Sequence, residues 1–277
     1  MSFFEKLDLE KKLNICTGNF FEKSNGFPSR DELVKILANQ ITFENTRKFD
    51  DMHSLFEVTQ ALIDSVSGTK SSLYEKIKGI YDYKNSRNGF LNALVEADLI
   101  GAIISTNYGN ALEESAKVVK VTPYDEEMFS DGKARLYQVL GDLKSLETCA
   151  ITAQDFRRLK VLPFYEIFWK SIRYELKHRS TIFLGVDFND SDFFTILDFI
   201  LSKDCDDIKP MYIVTSNSIL NPKVIEFFNK YNIKVLASTE YEFFKELKKY
   251  TSSEEIDLIK LFPEMYSELM KEKKFQW

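Results

Sequence analysis

Cysteine, histidine, glycine and proline are all scarce in this chain of 277 residues. The three cysteines, Cys16, Cys149 and Cys205, are isolated and odd in number, so the sequence offers no disulfide framework and predicts a reducing, cytoplasmic location. No Cys-x-x-Cys pair is present, which excludes a structural four-cysteine zinc site. Two histidines are too few for most histidine-based metal sites. We therefore predict that the protein uses no metal.

Long apolar runs and an excess of positive charge are also missing. No stretch approaches the ~20 apolar residues of a membrane span. The first residues, Met-Ser-Phe-Phe-Glu-Lys, lack the apolar core of a signal peptide. The formal net charge is −6, so no global attraction draws the chain to nucleic acid or to an anionic membrane. The sequence thus predicts neither a membrane nor a nucleic-acid partner.

Apolar and aromatic residues are plentiful. Hydrophobic residues make up 44% of the chain, with 24 Phe and 13 Tyr, which is enough for a sizeable core. The length alone allows one large domain or two. No internal repeat or low-complexity segment interrupts the chain, and we predict a single domain over residues 1–277.

Short apolar segments alternate with amphipathic helical segments, most regularly in the second half of the chain. Asp190 opens one predicted helix, and Asn221-Pro222 opens the next with an N-cap and a proline in the first turn. This alternation predicts an α/β fold, a Rossmann-like doubly wound parallel sheet of about six strands with helices on both faces. The predicted strands are 13–17, 101–106, 118–121, 134–140, 181–185, 211–215 and 233–237.

Two helical regions are predicted outside that alternation. Residues 41–98 form a helical insertion before the second strand, with helical periodicity over 50–66 and 71–98. Residues 239–277 form C-terminal helices. Ser29 and Glu32 have the spacing of a capping box and predict the start of an earlier helix.

A polar tripeptide follows one of the most clearly apolar strands. The run Ala-Ile-Ile-Ser ends in Thr106, Asn107 and Tyr108, followed by Gly109. Ligands of parallel α/β sheets bind just past the carboxyl ends of the strands. Asn107 is therefore predicted to lie where a polar side chain meets a ligand.

The loop from Gly18 to Pro28 follows a predicted strand and opens a predicted helix. Gly18, Gly26 and Pro28 have the spacing of the pattern G-A-G-x-S-x-x-x-G-x-P, and the loop resembles the one with which sirtuin-like domains cradle a dinucleotide pyrophosphate. Phe20 replaces the second glycine of that pattern, and Glu22 replaces the serine. A glycine has no Cβ and therefore lets the backbone approach phosphates closely. The side chain of Phe20 prevents such a close approach.

Three later segments resemble the same family in the same order. Thr106 and Asn107 are similar to the T-N-Y/I-D motif, whose asparagine contacts the nicotinamide ribose and assists cleavage. Residues 137–143 resemble the Y-K-x-H-G-D/S-x segment. Gly185 and Asp190 resemble the G-x-S-x-x-D loop that borders the adenosine. The resemblance covers roughly residues 13–240. It implies NAD or an ADP-ribose derivative as cofactor, bound by the loop from Gly18 to Pro28 and by Thr106, Asn107, Gly185 and Asp190. It also implies a catalytic role for Asn107.

Several positions depart from the family pattern. Leu140 stands where the family has its catalytic histidine, Gly109 where an acidic residue is usual, and Asp187 where a serine is usual. A leucine side chain cannot take up a proton, so general-base assistance is absent at that position. The missing zinc cysteines make the chain more similar to the NAD-hydrolysing domains of bacterial antiphage defence than to protein deacylases.

Three interpretations of function stay open at this point. The favoured one is a catalytically impaired sirtuin-like protein that serves as a structural, sensing or partner-binding component, with a protein partner or a homo-oligomer. The second is an active NAD hydrolase with a rearranged site around Asn107. The third is a binding module for another nucleotide.

The two histidines and one aromatic cluster are further candidates for a functional role. His53 is interpreted as a solvated residue at the edge of an apolar helix stripe, and His178 as a cation at the end of a helix, rather than either as a substitute base. An aromatic cluster is interpreted as core, with a ligand or partner surface as the alternative; it comprises Phe164, Tyr165, Phe168, Trp169 and Tyr174.

Overall fold

The computed structural model describes residues 12–18, 27–39, 54–65, 68–81, 95, 98–108, 118–125, 132–203, 207–217, 220–251 and 258. Seven strands in these ranges form one sheet in which every neighbouring pair is parallel. This confirms the α/β prediction, with seven strands instead of about six. They are β1 (Leu13–Thr17), β2 (Ile100–Ser105), β3 (Val118–Val121), β4 (Ala134–Gln138), β5 (Thr181–Leu184), β6 (Met211–Thr215) and β7 (Ile233–Ala237).

The strand order is β3-β4-β2-β1-β5-β6-β7, which places β1 at the centre of the sheet. Its residue Asn14 lies opposite Ala102 of β2 on one side and Thr181 of β5 on the other. Every residue of β1 and β2 is buried, as expected of strands covered on both faces. The chain builds one half of the sheet from β2, β3 and β4 before it crosses to β5.

Eight α-helices of the described ranges flank the sheet. Sequence signals placed several of their ends correctly: Ser29 and Glu32 form the predicted capping box, and Asn221 caps its helix. Thr152 forms a second capping box with Asp155. The helices are α1 (Arg30–Ala38), α2 (Leu55–Asp64), α3 (Lys70–Tyr81), α4 (Ala153–Val161), α5 (Glu166–His178), α6 (Ser191–Leu201), α7 (Pro222–Lys230) and α8 (Glu240–Thr251). None of them is long and apolar enough to cross a membrane.

The two faces of the sheet carry separate apolar clusters. Adjacent residues of one strand belong to different clusters, as Ile103 and Ile104 do, because side chains alternate across a strand. The larger cluster packs against α1 to α7. The smaller one packs against α8 through Phe243, Phe244 and Leu247.

Several predicted segments differ from the structure or lie beyond it. The strand predicted over 134–140 ends at Gln138, because the chain turns at Leu140 and at Gly141, whose φ is +82°. Helices α2 and α3 occupy part of the predicted insertion 41–98, and α8 part of 239–277. Much of the remainder of these two regions lies outside the described residues. The division into an insertion and a C-terminal unit stays a prediction.

A buried carboxylate ties α5 to the sheet near the amino ends of the strands. Glu175 is fully buried, and its side chain accepts a hydrogen bond from Nη1 of Arg135 at 2.6 Å and another from Arg179. The Nδ2 of Asn14 donates to the Glu175 carbonyl at 2.8 Å, which joins β1 to the same turn of helix. One acidic side chain therefore connects β4, α5 and the segment before β5.

Candidate functional site

The centre of the sheet is the point where the strand order reverses. Strands β2, β4 and β3 lie on one side of β1, and strands β5, β6 and β7 lie on its other side. The chain therefore changes sides between β4 and β5. In open α/β sheets the ligand crevice lies outside the carboxyl ends of the strands at this reversal. The residues that leave β1, β2 and β5 at that edge are Gly18, Thr106 and Gly185. Three of the predicted site residues thus share one edge.

Gly18 is a point of close backbone contact between two of these loops. Its N–H donates to the carbonyl of Leu184 at 2.9 Å. A Cβ at this position would lie 2.2 Å from the carbonyl oxygen of Gly185, so only glycine fits without a shift of the backbone. The loop after β1 and the loop after β5 therefore meet at the reversal point.

Asn107 is buried at the same edge with its side-chain amide oriented by the protein. Its Nδ2 donates to the carbonyl of Gly18 at 2.9 Å, and its backbone N–H donates to Oγ of Ser105 at 3.2 Å. The Oδ1 of Asn107 and the Oγ1 of Thr106 are buried and have no hydrogen-bond partner among the described residues. Buried polar atoms are usually paired, so these two oxygens are candidates for ligand contact.

Arg30 links the first turn of α1 to the other two loops. Its Nε donates to Oδ2 of Asp190 at 2.9 Å, and its Nη2 donates to the carbonyl of Thr106 at 2.5 Å. Both charged side chains are almost completely buried. Asp190 also caps α6 by accepting from the N–H of Phe193 at 3.0 Å, as its sequence position predicts. Through the ion pair and the bond to Thr106, Arg30 connects α1 to the segments that follow β2 and β5.

Sequence reasoning did not identify Arg30. The only signal was the identity of the residue itself, an arginine directly after the N-cap Ser29 of a helix that faces the sheet. Buried arginines are rare unless they are paired, and the partner, Asp190, lies 160 positions further along the chain.

Leu140 lies in the turn after β4, and its side chain is fully buried in the larger apolar cluster. Its carbonyl accepts from the N–H of Ala150 at 2.8 Å, and the carbonyl of Ala150 accepts from the Tyr108 hydroxyl at 2.8 Å. The next residue, Gly141, would bring a Cβ to 1.5 Å from the carbonyl oxygen of Thr148. The position that the resemblance assigns to the catalytic histidine is thus an apolar side chain in a tightly built turn.

Two protonatable side chains beside this turn, those of Cys149 and Tyr108, are deeply buried. Burial raises the pKa of the Cys149 thiol and of the Tyr108 phenol, so both stay protonated. Burial also raises the pKa of Asp192, against the opposing effects of Arg30 and the Ser54 hydroxyl. The carboxylate of Asp192 is engaged at the start of α2, where it accepts from Ser54 and from the N–H of Leu55.

Other predicted site residues lie elsewhere or outside the described ranges. Pro28 is half-buried just before α1. Gly26, Phe20, Glu22, Gly109 and His53 lie outside the described residues. His178 ends α5, just before β5 begins, and so lies at the edge of the sheet opposite Asn107. Its ring stacks on Tyr174 with centroids 3.8 Å apart.

The structure defines the class of the protein as a Rossmann-like α/β domain with a polar, partly unpaired edge at its strand-order reversal. Residues 101–236 match the family model of the SIR2-like domain. The chain is thus similar to the SIR2-like domain over this range, which is just under half of its length. The match begins in β2 and ends in β7, so it includes Asn107, Leu140 and Asp190 but not the loop from Gly18 to Pro28. No curated protein matches the chain.

Potential metal ligands are not brought together within the described ranges. These contain no cluster of three or more His, Cys, Asp or Glu side chains that could hold a metal ion. The absence of a metal stays a prediction.

Proposed function

We propose that this protein is a sirtuin-like domain, similar to the NAD hydrolases of bacterial antiphage defence, that has lost efficient catalysis. It then serves as a structural, sensing or partner-binding component. The observation that carries this proposal is Leu140. At the position where the family has its general base, the side chain is a leucine that is fully buried and packed into the core. A general base contributes roughly 10²–10⁴ to the rate of such reactions.

The residues at the sheet edge fit the binding of a nucleotide better than its hydrolysis. Because Gly18 holds the Nδ2 of Asn107, the Oδ1 of that side chain is presented as an acceptor with no partner among the described residues. The Thr106 hydroxyl beside it is a second buried group that has no partner in the part of the chain that the structure describes. Ribose hydroxyls and carboxamide N–H groups are the donors that such oxygens accept from. NAD, when bound, supplies a nicotinamide–ribose bond for cleavage; Asn107 and Thr106 would hold its ribose side, and Asp190 would border its adenosine side.

The first test is NAD hydrolysis by the purified full chain. We expect turnover at least about 100-fold slower than that of an active NAD-hydrolysing sirtuin-like domain assayed in parallel, because Leu140 cannot accept a proton. Nicotinamide release measured by chromatography gives the rate. Rapid turnover that disappears in Asn107→Ala but persists in Asn229→Ala would overturn this proposal in favour of an active, rearranged site. Asn229 is an exposed asparagine of α7 and serves as the matched control.

The second test is ligand-dependent thermal stability. If the edge still binds ADP-ribose or NAD, a ligand concentration of 100 Kd is expected to stabilise the fold by ~2.7 kcal/mol, or roughly 5 °C in Tm. Asn107→Ala is expected to remove the shift, and Asn229→Ala to leave it unchanged. A shift with a cyclic nucleotide alone would favour the third interpretation, a module for another nucleotide. The absence of any nucleotide response would leave a purely structural or partner-binding role.

A further inference from the structure

The corner between α4 and α5 exposes an unusual concentration of large apolar side chains. Of the nine such side chains exposed in the described ranges, five lie between positions 161 and 174. Several exposed apolar side chains on one short segment mark an interaction site more often than isolated ones do. We call this surface the corner patch; it consists of Val161 (67% exposed), Leu162 (37%), Phe164 (57%), Ile167 (59%) and Tyr174 (54%).

The corner patch lies over buried aromatic residues that are held by hydrogen bonds. Directly beneath it Tyr165, Phe168 and Trp169 are buried, and the Trp169 indole N–H donates to the carbonyl of Leu159 at 2.7 Å. The Tyr165 hydroxyl donates to the hydroxyl of Tyr124 at 2.6 Å. The aromatic cluster of the sequence thus divides into three core residues and two exposed ones. The exposed side chains therefore belong to the junction at which α4 ends and α5 begins.

The border of the corner patch is positively charged. Arg157, Arg158 and Lys170 are exposed, and none of them forms an ion pair within the part of the chain that the structure describes. Glu166, the acidic residue within the patch, lies 3.6 Å from Arg173 and is thereby partly neutralised. A local group of unpaired cations is notable on a chain whose net charge is −6. A partner segment with carboxylates at matching positions would supply the complementary charge.

We propose that the corner patch docks a partner protein through a segment that carries an apolar ridge flanked by carboxylates. An apolar centre with a charged rim is the usual anatomy of a protein interface. A second copy of this chain seated on the same surface would bring Arg157, Arg158 and Lys170 against the same three cations, which disfavours self-pairing. The net charge of −6 disfavours an anionic membrane as the occupant.

The test uses two pools of fluorescein-labelled helical peptides, identical in their apolar positions. One pool carries Asp and Glu at the flanking positions, and the other carries Lys and Arg. We expect the acidic pool to bind the full chain at least about tenfold more tightly by fluorescence anisotropy, and to weaken as salt rises. Phe164→Ser with Ile167→Ser is expected to reduce binding at least about tenfold, and Arg157→Glu with Arg158→Glu to reverse the preference between the pools.

Ile225→Ser is the matched control, because Ile225 is an exposed apolar residue of α7 (45%) outside the patch. It is expected to leave binding unchanged. If Phe164→Ser impairs folding as judged by circular dichroism, Val161→Ser with Ile167→Ser replaces it. Equal binding of both pools, or of neither, would overturn the proposal. So would a dimer that Ile167→Ser dissociates, or sedimentation of the chain with phosphatidylserine vesicles that the same change abolishes.

Discussion

Replacing Gly141 by alanine is expected to destabilise the protein by about 3–5 kcal/mol or to prevent folding. The residue has a φ of +82°, and an added Cβ would lie 1.5 Å from the carbonyl oxygen of Thr148. The opposing backbone has little room to retreat, because Ala150 donates to the Leu140 carbonyl just beside it. Urea denaturation followed by circular dichroism measures the change.

The loss of stability at Gly141 has two expected causes, backbone strain from its positive φ and the close contact with Thr148. Two other glycines serve to separate these causes. Gly132 has a similar φ of +78° but nothing within 4 Å of an added Cβ, so Gly132→Ala is expected to cost only about 1–2 kcal/mol of backbone strain. Gly79 lies within α3 with open space around it, and Gly79→Ala is expected to stabilise by up to ~1 kcal/mol. A loss at Gly141 no larger than at Gly132 would contradict the close contact with Thr148.

The second large effect is expected at Glu175. The change Glu175→Gln keeps the shape of the side chain but removes the charge that Arg135 and Arg179 both contact. Removing one member of a buried ion pair typically costs about 3–5 kcal/mol. The two arginines are partly exposed and can recover some hydration, so we expect a value near the lower end, about 3 kcal/mol.

The matched control for this change is Lys35→Gln. Lys35 pairs with Asp31 at 2.6 Å on the surface of α1, and its side chain is 70% exposed. Exposed pairs of this spacing contribute little to stability, because water screens both charges. Both variants are compared by the same denaturant titration. If they lose equal stability, then Glu175 is not the buried connection described above.

Local sequence signals were sufficient for most of the sheet. The apolar segments at 181–185, 211–215 and 233–237 became strands within one residue of their predicted ends. Asp190 and Asn221 cap their helices as predicted, because a capping side chain bonds to backbone only two or three residues away. The information for these features lies within a few neighbouring residues.

Features that depend on distant partners were not predictable in this way. Arg30 pairs with Asp190 and bonds to Thr106, which lie 160 and 76 positions away. Nothing in the neighbourhood of Arg30 indicates that its charge will be buried. For the same reason the sequence placed Asn107 at the sheet edge but did not reveal its orientation, which the carbonyl of Gly18, 89 positions earlier, determines.

The aromatic segment before β5 shows a different limit of predicting burial from the sequence. Helical periodicity assigns Phe168 and Trp169 to the buried side of α5, but the same segment also carries exposed Phe164 and Tyr174. Composition favours burial for every aromatic residue equally. In the structure Pro163 starts a short 3-10 turn, and the helix that follows buries Phe168 and Trp169 and exposes Tyr174.

The central position of β1 also constrains how the chain reaches its native state. Leu13 pairs with Ile100, and Asn14 pairs with Thr181, so the middle of the sheet joins segments that are synthesised far apart in time. Closing such long loops makes folding slow, and β1 keeps an open edge until the β5 segment has left the ribosome. Exposed strand edges favour misassociation. A nascent chain that stops before Thr181 therefore has no native partner for one side of its first strand.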